Sequence, residues 1–214
     1  MDRLPPELLV HILGLVGDVR LRCVNSTFRQ LCPLDRYRVE VGDRDAESKV
    51  QTFGTGVHSP TYVFSGVQLP SVLRDVHSLK WVLPRGTVCD SLSVGRVHTL
   101  DLSSAFMFPS PRVKDVSALG GVHTLDLSFT RVKDVSALGG VHTLNLSHTL
   151  VKDVSALGQV HTLDLSFTQV EDVSALGGVY ALDLSGTEVK DVSALGGVHT
   201  LNLSHTPADG TRGG

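Results

Sequence analysis

The sequence predicts an α/β repeat fold: a solenoid with a parallel β-sheet on its concave face and short turn or 3-10 segments on its convex face, preceded by a small α-helical motif. Three observations support this prediction. A 19-residue motif recurs along the chain, apolar and polar residues alternate inside each copy, and the composition combines 41% hydrophobic with only 5% aromatic residues. A core built around large rings is therefore disfavoured, and one built from small aliphatic units is expected.

The repeat is the strongest of these signals. The string Val-His-Thr-Leu-Asp/Asn-Leu-Ser begins at five positions, a variant (VYALDLS) begins once, and from residue 122 onward the starts are 19 residues apart. Two weaker copies, VHSPTYV and VHSLKWV, precede them and predict degenerate repeats over residues 57–96. The solenoid proper is predicted over 97–206, with a surface insertion within SSAFMFPSPR. The starts are Val57, Val76, Val97, Val122, Val141, Val160, Val179 and Val198.

One unit, residues 122–140, shows the predicted local structure. Leu125 and Leu127 alternate with polar residues, which predicts a short strand with its leucines directed inward. Asp134 precedes Val-Ser-Ala-Leu and is a suitable N-cap for one helical or 3-10 turn. Gly139-Gly140 then ends the turn. Because one strand this short finds backbone partners only in neighbouring copies, the units are expected to stack.

These residues, with their Leu-x-Leu-x-x-Thr-x-Val-x-Asp-Val-Ser-Ala-Leu spacing, resemble the leucine-rich repeat family. The resemblance implies a solenoid that binds protein partners on its concave face. Where the family carries an inward asparagine, this chain carries a threonine, whose hydroxyl can still bond a neighbouring backbone group. These threonines are Thr130, Thr149, Thr168, Thr187 and Thr206.

Residues 1–32 lack the repeat and carry a helical pattern of apolar residues. The order Leu4-Pro5-x-Glu7-Leu8, Ile12-Leu13, Val24, Phe28-Arg29 is similar to an F-box. The resemblance implies docking on a Skp-type adaptor of SCF-type (Skp/cullin/RING) ubiquitin ligases through Leu4, Pro5, Leu8 and Ile12, with the repeats holding an unknown protein substrate. The alternative is an interaction scaffold whose N-terminal helices only cap the solenoid.

The two remaining segments have no repeat character. Residues 33–56 are charged and irregular and are predicted to form a linker, and residues 207–214 a disordered tail. The last unit stops after Thr206, so we expect an uncapped C-terminal edge that favours self-association or burial by a partner.

Polar and aromatic residues at equivalent strand positions predict a partner-binding concave face. Their carboxylates make this face mildly acidic, which favours basic segments of a partner, although short polar side chains also describe a surface without a partner. The candidates are Asp101, Asp126, Phe129, Asn145, His148, Asp164, Phe167, Asp183 and Asn202.

A histidine column is a further candidate. Stacked strands lie about 4.8 Å apart, so histidines at the second position of successive units form a row. Such a row could bind metal or sense pH, but copying of the repeat also explains it, and we expect no metal. The column comprises His58, His77, His98, His123, His142, His161 and His199.

Other function classes find no support in the sequence. No nucleophile elbow, P-loop or metalloprotease motif is present, so we expect neither an enzyme nor a cofactor. The net charge of −3 gives no general attraction to nucleic acid or anionic membrane, and no apolar run is long enough to span a bilayer. Three cysteines without paired spacing indicate reduced thiols and a cytoplasmic or nuclear location.

Overall fold

A computed structural model describes residues 38–41, 46–53, 61–65, 69–83, 88–89, 92, 94–103, 112–113 and 115–209. The helical motif predicted over 1–32, with Leu4, Pro5, Leu8 and Ile12, lies outside the described residues, as does His58. Within the described part of the chain, no helix is long and apolar enough to cross a membrane.

The described residues form eleven strands in two parallel sheets. The strands are β1 Arg38–Val41, β2 Thr61–Ser65, β3 Ser78–Val82, β4 Val88–Cys89, β5 Thr99–Asp101, β6 Arg112–Val113, β7 Thr124–Asp126, β8 Thr143–Asn145, β9 Thr162–Asp164, β10 Ala181–Asp183 and β11 Thr200–Asn202. Nine of them form one parallel sheet in the order β1-β2-β3-β5-β7-β8-β9-β10-β11. A second, two-stranded parallel sheet pairs β4 with β6. Each main strand after β3 holds three residues, Thr-Leu-Asp or a close variant, and successive leucines are in register.

Short 3-10 turns form the other side of each unit. One α-helix among the described residues, α1 (Ala46–Phe53), joins β1 to the region before β2. The 3-10 turns are Ser71–Asp75, Ser117–Leu119, Ser136–Leu138, Ser155–Leu157, Ser174–Gly178, Ser193–Gly197 and Pro207–Asp209. This arrangement confirms the predicted leucine-rich-repeat solenoid fold, with a parallel sheet and short 3-10 segments in place of long helices.

Aliphatic side chains from the strand and the turn of each unit form one continuous core. In the unit at 122–140, six of them are at most 2% exposed: Val122, Leu125, Leu127, Val132, Val135 and Leu138. The same positions are filled in neighbouring units, so each layer packs on the next and removes the leucines from water. The threonine that replaces the family's asparagine is also buried, and its hydroxyl donates to a backbone carbonyl three residues earlier, as Thr130 Oγ1 does to Leu127 O at 2.6 Å.

The first glycine of each Gly-Gly or Gly-Gln pair lies where successive turns approach most closely. A Cβ added at Gly139 would lie 2.4 Å from the carbonyl oxygen of Ala156, and one added at Gly158 would lie 2.4 Å from that of Ala175. Real Cβ atoms do not approach oxygen so closely. This position therefore requires glycine for close stacking, although its backbone is right-handed helical at Gly158 (φ −62°).

The predicted linker at residues 33–56 is wrong in part. Arg38–Val41 forms the first strand of the main sheet and pairs in parallel with β2, and Ala46–Phe53 is the helix α1. Val41 and Ala46 are buried in the common core. The apolar pattern of these two elements is too short to stand out in the sequence.

Two further boundaries differ from their predictions. Tyr62 pairs with Leu79, so the first degenerate unit is out of register with a start at Val57, and equivalent residues of β2 and β3 are 17 apart. At the other end, Pro207–Asp209 forms a 3-10 turn and the Ala208 N–H donates to Val189 O, so the predicted disordered tail is wrong for these residues. Residues 210–214 lie outside the described part.

Candidate functional site

The open sheet face carries two columns of half-exposed polar residues. In each three-residue strand the central leucine is buried, whereas the flanking threonine and aspartate are partly exposed, as Thr124, Leu125 and Asp126 show in β7. Because the strands are in register, these positions align across β5, β7, β8, β9 and β10. All the predicted aspartates and asparagines therefore fall in one column: Asp101, Asp126, Asn145, Asp164, Asp183 and Asn202.

Each side chain of this column has a local structural task. One oxygen accepts a hydrogen bond from the backbone N–H of the serine two residues later, at 2.8 Å between Asp126 Oδ1 and Ser128 N. Asn145 makes the same bond to Ser147 at 2.9 Å. Ser128 and Ser147 are themselves buried. The side chains of this column therefore bond the backbone at the end of each strand and also face solvent.

The second carboxylate oxygen differs between units. Asp101 Oδ2 accepts a charge-assisted hydrogen bond from Lys80, and Asp183 Oδ2 accepts one from Asn202 Nδ2 at 2.9 Å. Among the described residues, no hydrogen bond or ion pair engages Oδ2 of Asp126 or Asp164. The middle of the face thus keeps two negatively charged oxygens available to solvent or to a partner.

Aromatic rings follow the strand ends in a row that we call the strand-end ring row, formed by Phe129, His148 and Phe167. Their centroids lie 4.4 and 4.6 Å apart, and adjacent planes differ by 12° and 9°. All three residues have left-handed backbone, with φ between 55° and 58°. The equivalent residue of the next unit is Gly186, with φ 69°. Phe167 is 53% exposed, although it is a large apolar side chain.

The ladder of backbone hydrogen bonds explains the left-handed conformation. Phe129 N–H donates to Ser147 O at 3.0 Å, and Phe167 N–H donates to Ser185 O at 2.8 Å. Gly186 makes the same bond, to Ser204 O at 2.9 Å. The bonding pattern fixes the backbone at this position, and a non-glycine residue there has a conformational cost of about 1–3 kcal/mol.

The predicted histidine column is present as a continuous stack. We call it the ring ladder, and neighbouring centroids along it lie 4.4–4.7 Å apart with planes 11–24° from parallel. Tyr180 takes the place of a histidine in one unit. The members are His77, His98, His123, His142, His161, Tyr180 and His199.

Stacking affects the acid–base behaviour of the ladder. Partial desolvation lowers the pKa of His98 and of His123 from the ordinary value, and repulsion from neighbouring imidazoles adds to this, from His77 on His98 and from both neighbours on His123. In four of the rings, His98, His123, His142 and His161, the Nδ1 atom lies within hydrogen-bond distance of the next threonine hydroxyl, at 3.3 Å between His123 and Thr124. At His98 and His123 the folded state therefore favours the neutral imidazole.

Parallel rings are a poor arrangement for a metal site. Zinc draws its ligands toward one point at about 2.0–2.1 Å from each nitrogen, whereas stacked imidazoles direct their lone pairs side by side. No group of three or more histidine, cysteine, aspartate or glutamate residues in the described ranges has metal-binding geometry.

A second acidic column lies on the turn side. The carboxylate of Asp134 accepts from the Ser136 N–H at 3.0 Å, but the N-cap of this 3-10 turn is Val135, so Asp134 lies one residue before the N-cap position predicted for it. Hydrogen bonds from the backbone and hydroxyl of that serine lower the pKa of Asp134, and the repeated positions behave alike. Small grooves of about 280 and 400 Å³ separate successive turns and are lined by these Lys-Asp-Val-Ser segments.

The structure thus places most of the predicted partner-binding residues together on the open sheet face. The carboxylate column and the strand-end ring row lie three residues apart in each unit, one at the strand end and one just beyond it. The sequence analysis did not predict the left-handed backbone at this ring position. The glycine at Gly186 was the one sequence signal for it. Sequence reasoning also missed the hydrogen bonds that the Oδ1 atoms of these carboxylates accept from the backbone N–H of the serine two residues later.

Comparison with known proteins identifies no relative by sequence: no family model and no curated protein matches the chain. Solved structures do match. The leucine-rich repeat domain of APL1B has 16% identity and a TM-score of 0.49, covering 96% of this chain and 70% of that one. Internalin C2 of Listeria monocytogenes has 16% identity and a TM-score of 0.48, covering 67% and 68%. Internalin InlF of the same bacterium has 15% identity and a TM-score of 0.48, covering 81% and 65%. These low similarities concern the fold alone.

Proposed function

We propose that this chain is a non-enzymatic protein-interaction module that binds a protein partner on its open sheet face. The observation that carries the proposal is the exposure of this face along its whole middle part. Its threonine and aspartate columns are half-exposed, and Phe167 beside them is 53% exposed, although the opposite side of each strand is buried. Phe167 belongs to a row of three stacked rings beside the carboxylate oxygens, and this contiguous ring surface supports coverage by another molecule.

The test is partner capture with surface variants. The full chain is immobilised, and bound proteins are identified and quantified for the unchanged chain, for Phe167→Gly with Asp164→Asn on the sheet face, and for Asp153→Asn with Asp172→Asn on the turn side. We expect the sheet-face pair to lose specific partners and the turn-side pair, which removes more charge, to keep them. Equal retention by both pairs would contradict binding through the sheet face.

The more specific proposal concerns the N-terminal residues. The F-box resemblance of residues 1–32 supports a role as the substrate-recognition subunit of an SCF-type ubiquitin ligase, with Leu4, Pro5, Leu8 and Ile12 contacting a Skp-type adaptor. The open sheet face would then hold the substrate. The test is co-purification with a Skp-type adaptor, and the combined change Leu4→Ala and Pro5→Ala should abolish the complex while the repeats stay folded. A complex that survives this change would refute the assignment.

The alternative proposal gives the N-terminal residues a capping role. It is favoured by β1, because an edge strand of a sheet presents backbone groups that a preceding segment can cover. In that case Leu4→Ala with Pro5→Ala lowers the melting temperature of the repeats, and no adaptor binds the unchanged chain.

Two further proposals follow from the sequence. Unpaired cysteine spacing supports a cytoplasmic or nuclear location.

The exposed strand β11, whose Leu201 is 36% exposed, supports self-association at this edge. Sedimentation over a range of concentrations tests the second proposal, and a constant monomer mass would contradict it.

A further inference from the structure

We propose that the strand-end ring row and the carboxylate column together bind an extended, arginine-bearing segment of the protein partner. One guanidinium stacks on Phe167, and arginines three residues apart pair with Asp126 and Asp164. The proposal rests on the proposed function and names the chemistry of the partner that the open sheet face takes.

The exposed ring provides the first argument. One side of Phe167 is stacked on His148 at 4.6 Å. On the other side the next unit has Gly186, where an added Cβ would lie 2.7–2.8 Å from ring atoms Cδ1 and Cε1 of Phe167. The row therefore has no following ring on Phe167, and the ring stays 53% exposed. A planar cation from a partner finds an aromatic surface there.

The conformational cost at this position provides the second argument. Gly186 makes the same backbone hydrogen bond as Phe167 without the strain of a left-handed side-chain-bearing residue. The backbone hydrogen bond thus does not require phenylalanine, and among the described residues one ring, His148, stacks on Phe167. A partner that covers the ring would supply the missing interaction.

Charge identifies the partner as basic. Residues 113–214 contain six lysines and arginines against eleven aspartates and glutamates, a balance of −5. Oδ2 of Asp126 and of Asp164 has no partner among the described residues. An anionic nucleic acid or membrane surface is disfavoured by these charges. Arginine suits the site better than lysine, because its planar guanidinium both stacks on a ring and pairs with a carboxylate through two N–H groups.

Spacing identifies the conformation of the segment. Asp126 and Asp164 lie two strands apart in the carboxylate column, with Asn145 between them, so the two residues are separated by about 9.6 Å. A polyproline II helix places every third residue on one face, about 9.3 Å apart. A segment of this kind, running across the strands, presents successive arginines at the spacing of the two aspartates.

The experiment measures binding of two labelled peptides, (Arg-Pro-Pro)5 and (Lys-Pro-Pro)5, to the full chain by fluorescence anisotropy. The peptides have the same charge and backbone, so the difference between their affinities measures the contribution of the planar guanidinium group. We expect the arginine peptide to bind about threefold to fivefold more tightly, because the guanidinium stacks flat on a ring and pairs with a carboxylate through two N–H groups. Phe167→Gly should reduce this preference to the part that comes from carboxylate pairing, and Phe167→His, which keeps a ring as at position 148, should retain more of it.

Matched variants separate the site from general attraction. Asp164→Asn keeps the bond to the Ser166 N–H, as Asn145 keeps its bond to Ser147. It should lower the affinity for both peptides about threefold. Asp172→Asn removes the same charge from the turn side and should leave binding unchanged. Tyr180→Ala removes an exposed ring from the ring ladder and should also leave it unchanged.

Several results would overturn the proposal. Equal binding of the two peptides by the unchanged chain would exclude stacking on Phe167, and equal losses for Asp164→Asn and Asp172→Asn would reduce the effect to net charge. Absence of binding by both peptides, while sheet-face variants still lose captured partners, would refute the arginine segment and leave the proposed function standing. If those variants lose no partner, the proposed function itself fails.

Discussion

The glycine at the closest approach of successive turns offers a stringent test of how the units stack. Gly158→Ala adds one methyl group, whose carbon would lie 2.4 Å from Ala175 O. Gly196 occupies the equivalent position in the last repeated unit, and an added Cβ there has no described atom within 4 Å. The same substitution can therefore be made with and without the neighbouring turn.

The change in the free energy of unfolding follows from the distances around Gly158. An ordinary contact is 3.4–4 Å, so the Gly158→Ala methyl must displace the next turn by about 1 Å. That turn is held by backbone bonds from Leu176 N–H to Val173 O at 3.0 Å and from Val179 N–H to Leu176 O at 3.1 Å. Overpacking of this kind costs about 1–3 kcal/mol. Alanine also restricts the unfolded chain, which stabilises either variant by about 0.4–1 kcal/mol.

We therefore expect Gly158→Ala to be destabilised by about 1–2 kcal/mol, and Gly196→Ala to be stabilised by about 0.5 kcal/mol. Urea unfolding followed by circular dichroism and by tryptophan fluorescence measures both free energies, and coincident curves establish that a single transition is compared. In melting temperature, the two variants should differ by roughly 4–8 °C for a chain of this length. If Gly158→Ala is as stable as Gly196→Ala, the close approach of the turns is not a constraint and the reasoning is wrong.

Three further outcomes are expected. Phe167→Val, which places a β-branched residue at positive φ, should destabilise the chain by about 1–3 kcal/mol, whereas Phe167→Gly should lie within about 1 kcal/mol of the unchanged chain in the same urea assay. Thr168→Val, which removes the hydroxyl that donates to Leu165 O, should cost about 0.5–1.5 kcal/mol, and no loss would contradict a structural role for the hydroxyl. Acid should destabilise the ring ladder: the folded pKa of His98 and His123 is lowered, so their contribution is complete above the unfolded value of about 6.5 and is lost as pH falls below it. Melting temperatures between pH 7.5 and 5 test this, and His123→Tyr should reduce the dependence; an unchanged dependence would place its origin elsewhere.

The sequence was sufficient to predict the repeating part of the fold. In a unit such as 122–140, the alternation around Leu125 and the valines of the turn both follow from one requirement, that apolar groups meet in a single layer. The prediction of register was wrong for the first degenerate unit because two aromatic residues, Tyr62 and Phe64, occupy the positions of the usual leucines. Tyr62 is buried in this unit, and burial raises its pKa above the ordinary range.

The candidate site could be predicted by position but not by role. The sequence shows that Asp126 and Asp164 alternate with buried leucines, which places them on the exposed face. It does not show that one oxygen of each closes a strand end, because the same residue pattern fits an unbonded carboxylate. The left-handed backbone of Phe167 was hidden for a related reason: bulky residues disfavour that conformation, and only tertiary hydrogen bonds impose it.

The close contact at each first glycine also bears on how such a chain can lengthen. Gly120, Gly139, Gly158 and Gly177 each make room for an alanine carbonyl of the following unit. Gly196 has the same space although no described turn fills it. Duplication of one 19-residue unit would place an alanine carbonyl against that glycine with no compensating substitution. Each copy thus already has the space that the alanine carbonyl of a following copy requires. The array can therefore lengthen by whole units through a single genetic event.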